Sequence, residues 1–213
     1  MEINFYGFSC VSLSGKDVEV VIDPFDPVAS GVKIPKLTAD VVLSNDEYAF
    51  HHAMTQVTGH EKNALCVFDW PGEYEAKGVS VIAIPAFDKP KSEAEKGVKA
   101  EKVLIFFIEI EGFRILHLSN LGHKLTNEML EMIGDVDILL VPVGGKGSTL
   151  DAEKAHEVIE QIDPRIVIPM YYALPGSKIQ LESLDEFLKE VGMKNARREK
   201  KLKFKSRTEL PQE

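Results

Sequence analysis

The sequence predicts an α/β fold in which sheets are covered by helices. The first half contains short apolar runs with the length of buried strands, at 18–22, 41–43, 64–68, 79–84, 103–110 and 113–118. The second half changes to the apolar period of a helix, returns to a strand and changes to a helix again. A strand-rich half followed by alternating strands and helices indicates helices packed on the faces of sheets.

Local signals define individual elements. Glu111-Gly112 lies between two apolar runs and predicts a two-residue turn between antiparallel strands. An apolar helix face along 155–162 ends before Asp163-Pro164, and a strand is predicted at 165–170. A capping box at 183–186 predicts the start of a further helix, with Gly192 as its carboxyl-terminal stop.

The 213-residue chain carries a formal charge of −9 and 44% hydrophobic residues, which predicts a single domain over 1–213 with one substantial core. No apolar run approaches the roughly 20 residues that cross a bilayer. The amino terminus lacks the basic and small-residue pattern of a targeting peptide, so we expect a cytoplasmic protein. Cys10 and Cys66 are too few for a disulfide framework and are predicted to be buried free thiols.

The segment 194–207 holds eight basic residues and one acidic residue, so the rest of the chain carries a charge of −16. Leu202, Phe204 and Ser206 alternate with four basic residues, which is the period of a strand with one solvated face. The simplest prediction is an edge strand protected by charge. A surface for phosphate or for an acidic partner is the alternative.

Eight short segments follow one another in a characteristic order: YGFSC at 6–10, VIDPF at 21–25, ADVVLS at 39–44, PGEYE at 71–75, IPAF at 84–87, HLSNLGH at 117–123, VPVGG at 141–145 and IVIPM at 166–170. Together they resemble the metallo-β-lactamase-fold hydrolases, specifically the small single-domain branch related to the ascorbate-phosphate lactonases. The resemblance covers almost the whole chain. It implies a four-layer αββα sandwich, in which two mostly antiparallel or mixed sheets are flanked by helices.

The resemblance also implies a zinc or manganese centre, held by histidines and carboxylates, that hydrolyses an ester, lactone, amide or phosphodiester. In the family, a His-x-His-x-Asp-His motif follows the strand that ends here at Ser44. This chain differs at all seven implied ligand positions, which are Asn45, Glu47, Ala49, Phe50, Asp88, Asn120 and Tyr171. Loss of so many ligands should abolish the metal site. The sequence therefore predicts a pseudoenzyme with no catalytic residue and no cofactor.

Further residues are expected to border this degenerate metal site: Phe8, Asp23, Asp46, His51 and His123. Phe8 stands where the resemblance implies another histidine, and with Phe50 it is expected to fill part of the groove. Asp23 is expected to accept hydrogen bonds at a strand end. His117, on a strand, is predicted to be half-buried with its hydrogen bonds satisfied.

Two alternatives retain a metal. Glu47 and Asp88, with amide oxygens, could hold Mg²⁺ or Ca²⁺ in a rewired site, although Asp88 begins a stretch predicted to be a solvated loop. A shifted register could instead bring His51 into a site with Asp46 or His123. The adjacent His51 and His52 would face different directions on a helix, which disfavours that arrangement.

Three classes of function remain. The favoured one is a noncatalytic binding or assembly subunit, which would pair with itself or with an active relative and could take a small molecule. The second is a hydrolase with an oxygen-rich metal site. The third is a nucleic-acid protein that uses the basic segment, which the acidic total disfavours, and no membrane partner is expected. No motif for a nucleophile elbow or a phosphate loop supports hydrolysis without a metal.

Overall fold

The computed structural model describes residues 1–45, 53–60, 65–89, 99–147, 149–193 and 196–211. Its strands are β1 Glu2–Gly7, β2 Cys10–Ser14, β3 Glu19–Ile22, β4 Leu37–Ala39, β5 Val41–Leu43, β6 Val57–Gly59, β7 Cys66–Phe68, β8 Gly72–Ala76, β9 Val79–Phe87, β10 Lys102–Ile110, β11 Phe113–His117, β12 Ile138–Pro142, β13 Ile166–Met170 and β14 Lys201–Lys203. Its helices are α1 Pro27–Ser30, α2 Asn127–Ile133, α3 Ala152–Ile162 and α4 Leu184–Glu190, with 3₁₀ turns at Met54–Gln56 and Arg207–Glu209. None of these described helices combines the length and the apolar character that a membrane span requires.

Two six-stranded mixed sheets form the framework. The first has the order β14-β1-β2-β3-β5-β7, and the second has the order β13-β12-β11-β10-β9-β8. Strands β3, β5 and β7 are parallel, and so are β11, β12 and β13. A small parallel pair, β4 with β6, stands apart from both sheets. This confirms the predicted α/β class with mixed sheets.

Alternation along the strands divides the buried side chains into two hydrophobic clusters. In β10, Phe106 and Ile108 belong to the cluster that joins both sheets. Ile105 and Phe107 belong to the other, which the second sheet forms with α2, α3 and α4. Since neighbouring residues of a strand point to opposite faces, β10 is buried on both faces and reads as one continuous apolar run.

Several predicted elements are confirmed. Glu111 and Gly112 have φ angles of 51° and 79°, as the two central residues of a tight hairpin require, and join β10 to β11 antiparallel. Helix α3 ends at the left-handed cap Asp163. Helix α4 begins after Ser183 as predicted, but the Ser183 side chain makes no capping hydrogen bond, so that part of the capping box is wrong.

Other predictions need correction. The basic strand is an edge strand as predicted, but it ends at Lys203, and Arg207 begins a 3₁₀ turn in which it pairs with Asp137 instead of facing solvent. Cys66 is half-buried, because β7 is itself an edge strand. Six of the described strands lie outside the predicted runs, namely β1, β2, β4, β6, β8 and β12, and the buried residues of β1 do not alternate regularly.

Candidate functional site

The carboxyl ends of strands from both sheets meet at one edge of the sandwich. Asn45 follows β5, and Asp88 follows β9. Asn120 comes after β11, and Tyr171 comes after β13. All four side chains are nearly or fully buried. Phe8, Asp23 and His123 are also described, whereas the other predicted site positions lie outside the described residues: Asp46, Glu47, Ala49, Phe50 and His51.

Asn45 links the two sheets through its side-chain amide. Its Nδ2 donates to Asp23 Oδ1 at 2.9 Å and to Ser119 Oγ at 3.1 Å. Its Oδ1 accepts a hydrogen bond from the backbone N–H of Leu104, at the start of β10. Both ends of the amide are therefore engaged by the protein itself, at a position where the resemblance implies a metal-binding histidine.

His117 is fully buried, which corrects the prediction that it is half-buried. Its Nδ1 accepts from the Ser119 backbone N–H at 3.2 Å, so the ring proton lies on Nε2 and is donated to the Ser9 carbonyl at 2.8 Å. Burial lowers the pKa of His117 to about 4, although the hydrogen bond to Ser9 opposes this shift. His117 is thus a neutral structural side chain, and its predicted hydrogen-bond satisfaction is confirmed.

Asp23 lies in the same network and accepts a hydrogen bond at a strand end, as predicted. Burial raises the pKa of the Asp23 carboxyl to about 7, and hydrogen bonds from Asn45, Ser119 and Ser9 offset part of this rise. Sequence reasoning did not single out Ser9 and Ser119 as site residues. Each serine lies two residues after the end of a strand, within the segments YGFSC and HLSNLGH, and this position was the available signal.

Phe8 and Tyr171 bring aromatic surface to the point where the sheets meet. The Tyr171 backbone N–H donates to the Phe8 carbonyl at 2.8 Å, and the two ring centroids lie 6.1 Å apart. Phe8 also packs edge-to-face on Phe25 at 5.1 Å. Both Phe8 and Tyr171 are almost completely buried, so their rings pack within the protein interior, and Phe50, the other predicted groove residue, lies outside the described residues.

Four non-glycine residues at this edge have left-handed backbone conformations. Their φ angles are 51° at Phe8, 47° at Asp23, 47° at Ser119 and 54° at Tyr171. Such conformations cost energy in residues with a side chain, and they concentrate at sites where the surrounding structure imposes them. No sequence signal marks these positions, because they carry no glycine.

The Asp88 side chain is buried and not solvated, while residues 90–96 of the predicted solvated stretch lie outside the described residues. Its Oδ1 accepts from the Glu101 backbone N–H at 2.8 Å, and its Oδ2 pairs with Lys89 Nζ at 2.9 Å. His123 contacts Phe87, the residue before Asp88: its Nε2 accepts a hydrogen bond from the Phe87 backbone N–H at 3.2 Å. Both side chains therefore fix the end of β9.

Asn120 differs from its neighbours. Its side chain is fully buried, and neither its Oδ1 nor its Nδ2 has a hydrogen-bond partner in the described part of the chain. A buried amide without hydrogen bonds lowers the stability of the folded protein. The donor and the acceptor of Asn120 are therefore polar groups of this site that are available to a ligand.

The described residues do not fit the metal centre that the resemblance implies. Within them, no three His, Cys, Asp or Glu side chains converge on one point as metal ligands must. The side chains of Asn45 and Asp88 are engaged in hydrogen bonds within the protein, and Tyr171 is packed against Phe8. Among the described residues, the arrangement is a hydrogen-bonded junction between the two sheets, with aromatic side chains packed beside it.

Comparisons with known proteins agree with the fold. Residues 2–171 match the family model of the β-lactamase superfamily domain. A UPF0173 protein of Pyrococcus furiosus is 30% identical over 207 residues, which cover 90% of each chain. A UPF0173 metal-dependent hydrolase of Thermoplasma acidophilum is 29% identical over 193 residues, covering 81% of this chain and 83% of the relative.

One solved structure is similar in both sequence and fold. It is a Thermotoga maritima protein described as a Zn-dependent hydrolase of the metallo-β-lactamase superfamily. It matches with a TM-score of 0.69 and 36% identity, covering 88% of this chain and 84% of that chain. The resemblance found in the sequence is thereby confirmed.

Proposed function

The chain belongs to the β-lactamase superfamily, and from that premise we propose that it is a noncatalytic member that acts as a binding or assembly subunit. The observation that carries the proposal is the hydrogen bonding of the Asn45 side chain. Its amide N–H groups donate to Asp23 and Ser119, and its amide oxygen accepts from Leu104. A side chain engaged in this way holds the sheets together and is unavailable to a metal ion.

The neighbouring positions support the same proposal. Both carboxylate oxygens of Asp88 accept hydrogen bonds, one from the Glu101 backbone N–H and one from Lys89 Nζ. Phe8 and Tyr171 fill space with aromatic carbon in the interior. In a metal-dependent hydrolase these positions would offer several ligands converging on one ion. Here each contributes to the stability of the fold instead.

The first test is the metal content of the full-length, untagged protein. Cells are grown with added zinc, manganese and iron, and the protein is exchanged into chelator-free buffer with calcium and magnesium before elemental analysis. We expect well below one ion per chain. One or two ions per chain would contradict the proposal, and Glu47→Ala, His51→Ala and Asp88→Ala would then locate the ligands.

The second test concerns assembly. Sedimentation analysis of the same protein, alone and mixed with an active relative of the superfamily, gives its native mass. We expect either a self-assembled particle or a defined complex with the relative. A monomer that does not associate with the relative would remove the assembly role.

A hydrolase with an oxygen-rich metal site is the second candidate, and the buried, unpaired amide of Asn120 is the observation that favours it. Amide and carboxylate oxygens suit Mg²⁺ and Ca²⁺, and the Thermoplasma relative is named a metal-dependent hydrolase. In this case Mg²⁺ or Ca²⁺ would raise the melting temperature, and Asn120→Ala and Glu47→Ala would abolish the rise. The absence of any response to these ions would eliminate this candidate.

A further inference from the structure

A group of three arginines lies at the edge of the second sheet opposite the candidate site. Arg114 is in β11, Arg165 directly precedes β13, and Arg207 opens the last 3₁₀ turn. All three approach Asp137, which directly precedes β12 and is 1% exposed. We call these four residues the arginine cluster. They combine the amino ends of three parallel strands with the basic segment of the chain.

The strand register explains why these residues meet. Ile115, Ile138 and Ile166 are in register across β11, β12 and β13, so the residues before them form one row. The backbone completes the row, because Asp137 N–H donates to the Arg114 carbonyl at 2.8 Å and Ile166 N–H donates to the Asp137 carbonyl at 3.0 Å. The strands therefore hold Arg114, Asp137 and Arg165 in a fixed arrangement.

The guanidinium groups surround one carboxylate. Arg207 Nε lies 2.9 Å from each oxygen of Asp137. Arg165 Nε lies 3.8 Å from Oδ1, and Arg114 Nε lies 3.8 Å from Oδ2. The Nη groups of Arg165 and Arg207 make no hydrogen bond within the described part of the chain.

The charges of the cluster do not balance. Three cations share one buried carboxylate, and the only other described carboxylate paired with them is that of Asp135, which is 83% exposed and bonds Arg114 Nη1 at 3.0 Å. Arg114 Nε is buried without a hydrogen-bond partner among the described residues. Cations held this close repel one another, so an additional anion would stabilise the group.

We propose that the arginine cluster is a binding site for a phosphate dianion, either free or as a small phosphate monoester. Guanidinium groups with unused N–H donors match phosphate oxygens in geometry and charge. The register of β11, β12 and β13 fixes the backbone positions of Arg114 and Arg165 before the ligand arrives, which reduces the entropy cost of binding. This site is independent of the function proposed for the opposite edge.

The test measures binding of inorganic phosphate to the full-length protein by calorimetry and by the melting temperature, with chloride at matched ionic strength as the reference. We expect saturable binding that Arg165→Gln weakens at least tenfold. Arg198→Gln is the matched control, because Arg198 is an exposed arginine paired with Asp185, and we expect it to bind phosphate like the parent. No saturable binding, or equal binding by both variants, would overturn the proposal.

A second variant separates binding from a purely structural role. Asp137→Asn removes the carboxylate that competes with the ligand, so we expect it to bind phosphate more tightly while being less stable. Unchanged or weaker phosphate binding by folded Asp137→Asn would contradict the site. Because a variant of a buried carboxylate can fail to fold, Arg207→Gln repeats the test at a partly exposed position, with weaker binding expected.

Glycerol 3-phosphate distinguishes the two sources of the dianion. Affinity equal to that of inorganic phosphate would assign the site to the dianion alone, and tighter binding would assign it to a monoester. Acetate is the monoanion control. If acetate bound as tightly as phosphate, the cluster would be a general anion surface and the proposal would be wrong.

Discussion

Asn45 illustrates how a single buried side chain can join two sheets. A histidine there would offer one nitrogen to a metal, whereas the amide offers a donor and an acceptor in fixed directions. Asp23 and Leu104 supply the complementary groups. Asn45 thus forms a hydrogen-bonded link between the sheets, and its contribution to the stability of the protein can be measured.

Replacing Asn45 by Ala should destabilise the protein by about 3 kcal/mol, because it leaves buried polar groups of Asp23 and Leu104 without partners. Urea unfolding monitored by circular dichroism measures the change. Asn4→Ala is the control, since Asn4 is only partly buried and makes one 3.4 Å hydrogen bond to Ser12, and it should cost less than about 1 kcal/mol. Equal costs for the two variants would refute the role assigned to Asn45.

Asp23 and His117 should contribute opposite pH dependences to stability. With a pKa raised from 3.8 to about 7, native Asp23 holds a proton that the unfolded chain releases, so its contribution falls as the pH rises from about 4 to about 7. With a pKa lowered from 6.5 to about 4, native His117 lacks a proton that the unfolded chain binds. Its contribution therefore rises as the pH increases from about 4 to about 6.5.

The variant Asp23→Asn should therefore gain stability relative to the parent as the pH increases from 4 to 7, by about 4 kcal/mol over the full window. His117→Gln should show the reverse trend. Urea unfolding at a series of pH values measures both. Parallel pH profiles for the parent and Asp23→Asn would show that the carboxyl does not titrate in this window.

At the scale of elements, the site depends on how closely the strand ends approach one another. A Cβ atom placed on Gly122 would lie 1.6 Å from the Asp88 carbonyl oxygen, so only glycine lets the segment after β11 lie against the end of β9. The Gly122 N–H also donates to the Phe87 carbonyl at 2.9 Å. This contact fixes the edge where the candidate site lies.

Gly122→Ala should destabilise the protein by at least about 3 kcal/mol, because backbone atoms must move apart. Gly112→Ala is the matched control. Its Cβ would have open space, but Gly112 has a φ angle of 79°, so the cost should be only about 1 kcal/mol. Thermal unfolding of both variants measures the difference. A Gly122→Ala variant as stable as the control would show that the two segments can separate freely.

At the scale of the whole molecule, the open sheet edges determine whether the protein remains dispersed. The first sheet ends at β14, a short strand whose Lys201 and Lys203 side chains are exposed. Exposed edges pair readily with other chains, and lysines oppose such pairing. The edge position of the basic strand is confirmed, and we expect its lysines to protect this edge.

The double variant Lys201→Val and Lys203→Val should self-associate more strongly than the parent, because a flat apolar edge can pair with another copy. Light scattering over a concentration series measures this. Lys33→Val with Lys36→Val, outside any strand, is the control and should leave the native mass unchanged. Unchanged association of the edge variant would mean that its lysines do not protect the edge.

The sequence by itself determined the fold class, the hairpin at Glu111-Gly112, the end of α3, the start of α4 and the family. These features depend on periodicity and on local turn and capping chemistry, which a chain carries in its order of residues. It also placed Asn45, Asp88, Asn120 and Tyr171 after strands, because each directly follows or closely follows an apolar run.

Only the tertiary structure decided which contacts the buried polar residues at the strand ends make. The hydrogen bonds of Asn45 join residues 22, 59 and 74 positions away, and those of Asp88 turn an expected solvated residue into a buried one. Likewise, Arg207 lies 70 positions from Asp137. Contacts between distant residues depend on strand order and register, and no local pattern encodes them.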